Sequence, residues 1–276
     1  MQTMISSPPL SVGISPCPND TFIFGSWILG RCELVTGRDA SFIWDDVQQL
    51  NESAARGEYD LIKVSAAQAL LLRDQYAILR SGGAFGLEHG PKLVASASTV
   101  PRTIAVPGLQ TTAAALLRQA WPEPAQLIPM RYDQIVDQVR RGRVDAGLLI
   151  HESALLLREY GLACLLDLGQ WWKERSGDLP LPLGCILGRK NLGPDMLEAA
   201  ARQIQLSLDH ASAHPEAVWP LVQGLAQELD DNVLRAHIRA YVNNFSHDMG
   251  DPGRHAVQFL GDCIHSSNTS TTNTLT

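Results

Sequence analysis

The sequence has few features of a secreted, membrane-spanning or nucleic-acid-binding protein. Its 276 residues include five cysteines, widely spaced and without a C-x-x-C pair, which argues against a disulfide framework and a zinc site. No apolar run approaches the roughly 18 residues that a membrane helix needs. Lys and Arg total 22 against 29 Asp and Glu, with no long basic run. Nucleic acid and anionic membranes are therefore poor candidates as partners.

Targeting and catalytic signatures are also missing. The first ten residues, MQTMISSPPL, contain neither a positively charged segment nor an apolar one, so they do not resemble a signal peptide. Unpaired, scattered cysteines fit a reducing compartment, and we expect a cytoplasmic protein. The sequence has no phosphate-binding P-loop, no G-x-S-x-G nucleophile motif and no H-E-x-x-H metalloprotease motif.

Strand and helix signals alternate through the first part of the chain, which predicts an α/β fold with mainly parallel sheets. The predicted strands are Ser11–Ser15, Ser41–Trp44, Asp60–Ser65, Ala77–Ser81, Leu93–Ala97, Thr103–Val106, Gln126–Met130 and Ala146–Ile150, with Leu183–Gly188 as a further candidate. The predicted helices between them are Asn19–Gly30, Val47–Gly57, Ala66–Gln75, Thr111–Ala120, Tyr132–Gly142 and Glu152–Tyr160. After Asn191 only helical patterns remain.

One internal similarity favours two related lobes. Arg56-Gly57-x-x-Asp60 recurs as Arg141-Gly142-x-x-Asp145, and ALLLR recurs at the same offset, at 69–73 and 154–158. Chance also produces such matches between α/β units. The interpretation as two lobes divides the chain into a larger α/β lobe, 11–94 plus 185–262, and a smaller one, 95–184, with 263–276 as a disordered tail. A cleft then lies between the lobes, at the carboxyl ends of both sheets.

The first strand ends in the stiff polar corner SPCPND, residues 15–20. Pro16 and Pro18 fix the backbone and remove two N–H groups, and Asn19 or Asp20 can cap the helix that follows. The N–H groups of a first helical turn attract anions. A rigid turn with a good cap is the simpler interpretation of this corner.

Three further polar groups follow predicted strands. Lys63 lies inside an apolar strand, which indicates either an edge strand with its amine in water or a cation that faces the cleft. Thr111 and Thr112 open a helix, either as caps alone or as donors to a carboxylate. His151 follows a strand and is either a structural histidine or a general base, since an unperturbed pKa of about 6.5 suits that role.

Seven short motifs together resemble one family. They are SPCPNDTF at 15–22, KVS at 63–65, RSGGAFG at 80–86, VPGLQTTA at 106–113, DAGLLIHES at 145–153, LPLPLG at 179–184 and YVNNFS at 241–246. This set resembles the 1,4-dihydroxy-6-naphthoate synthases of the futalosine route to menaquinone. The resemblance implies a two-lobed fold like the type II periplasmic binding proteins. It also implies a lyase that converts cyclic dehypoxanthine futalosine into 1,4-dihydroxy-6-naphthoate and dihydroxyacetone, without a metal or an organic cofactor.

The resemblance also assigns candidate residues for the site. His151 matches the proton acceptor of the family, and the substrate-contact segments match Lys63, Val64 and Ser65 together with Thr111 and Thr112. Asn19 and Asp20 of the polar corner are further candidates for binding the substrate. Gln110 stands where relatives have a basic residue. Two alternatives stay open: a non-catalytic protein that binds a small carboxylate, and a chorismate-dehydrating enzyme of the same superfamily. The sequence does not decide the oligomeric state, and a homodimer stays open.

Overall fold

The computed structural model describes residues 8–97, 100–226 and 230–266. Its strands are β1 (Leu10–Ile14), β2 (Ala40–Trp44), β3 (Leu61–Ser65), β4 (Tyr76–Ile78), β5 (Ala84–Gly86), β6 (Lys92–Ala95), β7 (Thr103–Val106), β8 (Gln126–Pro129), β9 (Ala146–Leu149), β10 (Ala163–Asp167) and β11 (Leu181–Arg189). Its helices are α1 (Pro18–Ile28), α2 (Val47–Arg56), α3 (Ala66–Leu71), α4 (Thr112–Ala120), α5 (Ile135–Arg140), α6 (Leu157–Tyr160), α7 (Leu168–Ser176), α8 (Pro194–Ala213), α9 (Pro215–Leu225), α10 (Asp231–Tyr241), α11 (Asn244–His247) and α12 (Gly250–Ser266). Short 3-10 helices occupy Tyr132–Gln134, His151–Ala154 and Lys190–Leu192.

The strands form two mixed sheets. The first has the order β2-β1-β3-β11-β4, with β5 also paired to β11, and the second has the order β10-β6-β9-β7-β8. Parallel pairs join β1 to β2 and β3, and β7 to β8 and β9. The prediction of mainly parallel sheets is wrong, because β11 and β6 run antiparallel to all their neighbours. The chain reaches β6 from the first sheet and β11 from the second sheet. Neither strand is therefore reached through the helical crossover that joins parallel strands within one sheet.

The chain passes between the sheets in two places. It leaves the first sheet after β5 and enters the second at β6, and it returns from α7 to the first sheet at β11. The predicted boundaries at 94/95 and 184/185 therefore fall inside β6 and β11. Whether the two sheets belong to separately moving lobes stays a prediction. Helix α12 continues to Ser266, and residues 267–276 of the predicted tail lie outside the described residues.

The recurring Arg-Gly-x-x-Asp motif has the same structural role in both sheets. Asp60 accepts hydrogen bonds from the Ser11 N–H and hydroxyl at 3.0 and 3.2 Å, and its own N–H donates to Ser11 Oγ at 2.9 Å. Asp145 accepts from the Thr103 N–H and hydroxyl at 2.9 and 3.0 Å, and its N–H donates to Thr103 Oγ1 at 3.0 Å. In each sheet, the aspartate before one strand thus fastens the start of a parallel neighbour.

The C-terminal helices cover the first sheet. Apolar side chains of α8, α9 and α10 pack with α1 and β1 in one core, around residues such as Phe24, Ile204 and Val218. Helix α12 contributes Val257 and Leu260 to the core that contains β3 and β11. Within the described ranges, no helix combines the length and the apolar character needed to cross a membrane.

We predict that Leu187→Ala strongly destabilises the protein. Leu187 is 0% exposed and lies opposite Ile62 on β3 and Ile78 on β4. Truncation of a buried leucine leaves a cavity, which costs about 2–5 kcal/mol of unfolding free energy. Urea denaturation measures this loss. Leu71→Ala is the control, because Leu71 is 67% exposed and its truncation should stay within about 0.5 kcal/mol. Equal losses in the two variants would contradict the assigned core.

Candidate active site

A cleft forms where the carboxyl ends of β1, β3 and β9 meet the amino end of α4. It holds about 710 Å³ of space, some of it open to solvent, within the range of about 300–1,000 Å³ for small-molecule sites. Its apolar walls include Val47, Leu50, Ile150 and Leu183. All eight residues named from the sequence line it: Asn19, Asp20, Lys63, Val64, Ser65, Thr111, Thr112 and His151. Their roles in binding and catalysis stay predictions.

The cleft also contains residues that the sequence analysis did not assign to it. Ser15 and Cys17 come from the proline-rich corner, and His237 and Tyr241 come from α10. The last two are four residues apart, so they lie on one face of the helix. One signal was available in the sequence, since Tyr241 begins the motif YVNNFS. His237 has no such signal, because its nearness to the cleft depends on how α10 packs against the body of the protein.

The proline-rich corner differs from its prediction in one respect. Helix α1 begins at Pro18 with Cys17 as its N-cap residue, so neither Asn19 nor Asp20 caps it. Proline is favoured at the first helical position, where a missing N–H costs nothing, and this moves the helix start toward the N-terminus. The two side chains find other partners: Asn19 Nδ2 donates to Asp20 Oδ1 at 3.0 Å, and Asn19 Oδ1 accepts from Cys17 Sγ at 2.7 Å.

A buried ion pair connects α1 to β3. Lys63 Nζ lies 2.5 Å from Asp20 Oδ1, and the two side chains are 7% and 1% exposed. Lys63 also donates to the Gly82 carbonyl oxygen at 3.0 Å, and Ser15 Oγ donates to Asp20 Oδ2 at 2.6 Å. Strand β3 lies between β1 and β11, so the interpretation of Lys63 as an edge-strand residue is wrong. The pair gives the cleft a neutral but strongly polar floor.

Ser65 presents a hydroxyl group to the cleft at the end of β3. Asn51 holds it in place: Asn51 Nδ2 donates to Ser65 Oγ at 3.1 Å, and Ser65 N donates to Asn51 Oδ1 at 2.9 Å. A serine hydroxyl has one proton to donate and can accept at the same time. Ser65 therefore accepts from Asn51 and keeps its own O–H for a ligand oxygen.

The two threonine hydroxyls bind mainly to the protein itself. Thr111 caps α4 as predicted, accepting from Ala114 N at 3.2 Å and donating to the Gly108 oxygen at 2.8 Å. Thr112 Oγ1 accepts from Ala67 N and donates to the Leu183 oxygen, both at 3.0 Å. The first N–H groups of α4 have no acceptor within the helix. These N–H groups are therefore the donors through which this side of the cleft can hold an anion.

Gln110 precedes these threonines and contacts the helix across the cleft. Its Oε1 accepts a hydrogen bond from Gln48 Nε2 of α2 at 3.2 Å. The side chain therefore links the loop before α4 to α2.

His151 has an unusual backbone conformation and environment. Its φ of 55° lies in the left-handed region, which costs a non-glycine residue about 1–3 kcal/mol and often marks a functional site. Its ring contacts Tyr132 with centroids 4.8 Å apart and His237 with centroids 5.9 Å apart. Burial lowers the pKa of His151 to about 4; the nearby Lys63 also lowers the pKa, while Asp20 and Asp46 act in the opposite direction. The imidazole is consequently neutral near pH 7 and able to accept a proton.

Two other ionisable groups in the cleft stay uncharged. Burial lowers the pKa of His237 well below its usual value, and the neighbouring His151 lowers it further. Burial also raises the pKa of the Cys17 thiol far above its usual range, with Asp20 adding to the effect. Because the thiolate is the reactive form of cysteine, this environment disfavours a nucleophilic role for Cys17.

A polar pocket adjoins the cleft on the other side of His151. It shares His151, Ser15, Cys17 and Val47 with the cleft, and its remaining lining is Pro16, Asp45, Asp46, Gln49, Arg131 and Tyr132. Asp46 caps α2 by accepting from Gln48 N at 2.8 Å. Burial, followed by the charge of Asp46, raises the pKa of Asp45. We call this group the polar pocket. His151 thus lies between the cleft, whose walls are apolar, and a more hydrophilic space.

Two mixed sheets with a ligand-sized cleft between them define the class of periplasmic-binding-protein-like folds. The aliphatic sulphonate binding protein of Escherichia coli matches the structure with a TM-score of 0.64 and 13% identity, covering 96% of this chain and 89% of that one. The alkanesulfonate-binding protein of Xanthomonas axonopodis gives 0.67 and 12%, with 95% and 94% covered. These likenesses show the fold, which confirms the predicted fold class.

The chain belongs to the menaquinone biosynthesis family, whose model matches residues 10–266. A protein of Thermus thermophilus is 43% identical over 254 residues, which cover 91% of this chain and 92% of the relative. A protein of Streptomyces coelicolor is 38% identical over 265 residues, or 93% of each. Both relatives are named 1,4-dihydroxy-6-naphthoate synthase. A crystal structure of an Archaeoglobus fulgidus protein has a TM-score of 0.89 and 32% identity, covering 95% and 98%. The resemblance drawn from the sequence motifs is confirmed.

We predict that Asp20→Asn and Lys63→Met each lower the unfolding free energy by about 3–5 kcal/mol, because each leaves one buried charge without its partner. The double variant should lose less than the sum of the two, since neither charge then remains. Denaturation by guanidinium chloride measures all three variants.

The exposed pair of Arg56 and Glu58, with side chains 56% and 42% exposed, is the matched control. Glu58→Gln should leave the stability nearly unchanged, because water screens an exposed ion pair. Strict additivity between Asp20→Asn and Lys63→Met would show that the buried pair is not coupled.

Proposed function

We propose that this member of the family is a lyase that converts cyclic dehypoxanthine futalosine into 1,4-dihydroxy-6-naphthoate and dihydroxyacetone, with His151 as the general base. The names of the two curated relatives support the product. The observation that carries the proposal is a neutral His151 that lines the same cleft as Ser65 and the first turn of α4. Base catalysis requires a proton acceptor close to the groups that hold the substrate carboxylate, and this cleft contains both.

The substrate carries a carboxylate on a bicycle. The apolar walls formed by Leu50, Val64 and Leu183 contact the faces of that bicycle. The carboxylate accepts hydrogen bonds from the Ser65 hydroxyl and from the first N–H groups of α4, where the helix dipole also favours negative charge. These contacts orient the reacting carbon atoms toward His151, and orientation of this kind contributes a large part of enzymatic rate enhancement.

His151 accepts a proton from the oriented substrate, and one carbon–carbon bond of the substrate then breaks. Formation of the aromatic naphthoate drives the cleavage. Oriented base catalysis contributes typically about 10²- to 10⁴-fold. The carboxylates of Asp20 and Asp46 act on His151 to favour its charged form, so they stabilise the imidazolium that the proton transfer creates.

The two products differ in polarity, and so do the two sides of His151. The flat aromatic acid suits the apolar cleft, whereas dihydroxyacetone, with two hydroxyls and a carbonyl on three carbons, suits the polar pocket. Carboxylates such as Asp45 accept hydrogen bonds from hydroxyl groups. We place the three-carbon part of the substrate in this pocket, so that the bond to be broken lies next to His151.

All five cysteines are free, which supports a reducing compartment such as the cytoplasm for this activity.

The decisive experiment is a turnover assay with cyclic dehypoxanthine futalosine, in which chromatography quantifies 1,4-dihydroxy-6-naphthoate and dihydroxyacetone in equal amounts. Binding without products would favour the alternative of a small-carboxylate binding protein. Consumption of chorismate offered alone would favour a chorismate-dehydrating enzyme. Either result would reject the proposed lyase activity.

We predict that His151→Asn lowers kcat by about 10²- to 10⁴-fold while the melting temperature shifts by less than about 4 °C. Asparagine tolerates the left-handed backbone conformation, so this variant removes the base without adding strain. Steady-state kinetics and thermal unfolding measure the two effects.

Asp178→Asn is the matched control, because Asp178 is the other described non-glycine residue with a positive φ, at 71°, and does not line the cleft. Its turnover should equal that of the unaltered protein. A folded His151→Asn variant that retains most of its kcat would remove His151 from the role of base.

We predict that Asp45→Asn raises KM for the complete substrate about tenfold, the effect of losing about 1.4 kcal/mol of binding. The Kd of 1,4-dihydroxy-6-naphthoate should change less than about twofold, because the aromatic product lies outside the polar pocket. Kinetics and titration calorimetry give the two constants.

Asp39→Asn serves as control: Asp39 is exposed and precedes β2, whereas Asp45 follows the same strand. It should alter neither constant. Equal weakening of substrate and naphthoate in Asp45→Asn would argue against separate places for the two products.

A further inference from the structure

Four rings form a continuous row that runs from the polar pocket into the cleft. The centroids of Tyr132 and His151 are 4.8 Å apart, those of His151 and His237 are 5.9 Å apart, and those of His237 and Tyr241 are 5.0 Å apart. The first two residues belong to the part of the chain that forms the second sheet, and the last two belong to α10, which packs against α1. His151 therefore lies between a ring from each part of the molecule.

The position of the His151 imidazole depends on these neighbours. Its backbone leaves β9 in the left-handed conformation and continues into a 3-10 helix. In the part of the chain that the structure describes, no hydrogen bond from another side chain holds the His151 ring. Packing against Tyr132 and His237 is thus the contact that restrains its side-chain torsions.

His237 is itself firmly held. Its ring is fully buried, and its Nε2 lies 3.1 Å from Asn19 Oδ1. The amide of Asn19 has a defined orientation because its Nδ2 donates to Asp20, whose carboxylate is paired with Lys63. An amide oxygen only accepts hydrogen bonds, so Nε2 of His237 carries the proton. The buried ion pair thus fixes both the orientation and the tautomer of His237.

We infer that His237 is a positioning residue for the proposed base: its anchored ring packs against His151, directs the imidazole into the cleft and keeps water away from it. The inference rests on the proposed role of His151. It assigns His237 no contact with the reacting atoms.

The ring of His151 is half-buried at the wall of the cleft, and its restricted contact with water has a measurable consequence. The charged and titratable groups that face it are Asp20 from α1, Lys63 from β3, Asp46 before α2, Tyr132 from the 3-10 helix and His237 from α10. Burial is the largest cause of its lowered pKa of about 4. Replacement of the His237 ring by a smaller, flexible group admits water, so the pKa of His151 should rise toward its unperturbed value of about 6.5.

Two variants distinguish the effect of the His237 ring from the effect of its hydrogen bond to Asn19. His237→Gln retains an amide donor for Asn19 but loses the ring, and His237→Phe retains a ring but loses the hydrogen bond. In His237→Gln we expect the acid limb of kcat/KM to move from about pH 4 to higher pH. We also expect kcat to fall about 10- to 100-fold with KM nearly unchanged. In His237→Phe the limb should stay near pH 4, with kcat within about threefold.

Titration of the His151 ring by ¹⁵N NMR in substrate-free protein measures the same pKa without turnover, and the His151→Asn spectrum assigns its signal. If the unaltered protein is inactive with cyclic dehypoxanthine futalosine, the proposed function fails, whereas the NMR titration still tests the contact between the two histidines.

His210→Gln is the control for loss of an imidazole elsewhere, since His210 bonds to Ser26 on α1 and does not line the cleft. It should leave the pKa of His151 unchanged. A pKa of His151 that stays near 4 in His237→Gln would overturn the inference. An equal rise in His237→Gln and His237→Phe would also overturn it, because the ring retained in His237→Phe would then make no difference to the pKa of His151.

Discussion

The buried pair of Asp20 and Lys63 is the interaction on which the rest of the site depends. It joins the first helix to the central strand of the first sheet, and a free charge at this depth would be far more costly than the pair. Ser15 and Asn19 donate to the Asp20 carboxylate, and the Gly82 carbonyl oxygen accepts from Lys63. The stiff, proline-rich corner is therefore the shape that brings a carboxylate to a buried ammonium group. From that anchor, one more hydrogen bond reaches α10 and the row of rings beside His151.

His151 combines an unfavourable backbone conformation with an environment that disfavours the charged form of its ring. Its backbone adopts a conformation that few non-glycine residues take, and its surroundings disfavour the imidazolium form. Both features reduce stability, but the second keeps the ring neutral over the whole physiological pH range. The nearby carboxylates of Asp20 and Asp46 moderate this effect, because they favour the imidazolium form. Because the pKa of His151 is about 4, mild acid leaves the ring neutral. The ring can then still accept a proton from an oriented ligand.

Much of the molecule follows from local patterns. The threonine cap predicts α4, and the recurring Arg-Gly-x-x-Asp motif marks equivalent positions in both sheets. The cleft residues were predictable because strand ends collect on one edge of an α/β sheet. Antiparallel pairing of β6 and β11 was not predictable, since the direction in which a strand enters a sheet leaves no trace in its own residues. The start of α1 was misjudged because a proline at the first turn and a polar cap compete for the same few positions.

The sequence alone determined the class of fold, the family and the set of polar residues at the strand ends, because periodicity, turn chemistry and motifs are local properties of the chain. Only the tertiary structure decided what those residues do to one another. Lys63 pairs with Asp20 instead of extending its amine into water, and the threonine hydroxyls donate to backbone carbonyl oxygens. His237 of α10 packs against His151, which follows β9. Charge, desolvation and ring packing act through space, and residues far apart in the chain acquire them only when the helices and sheets close around the cleft.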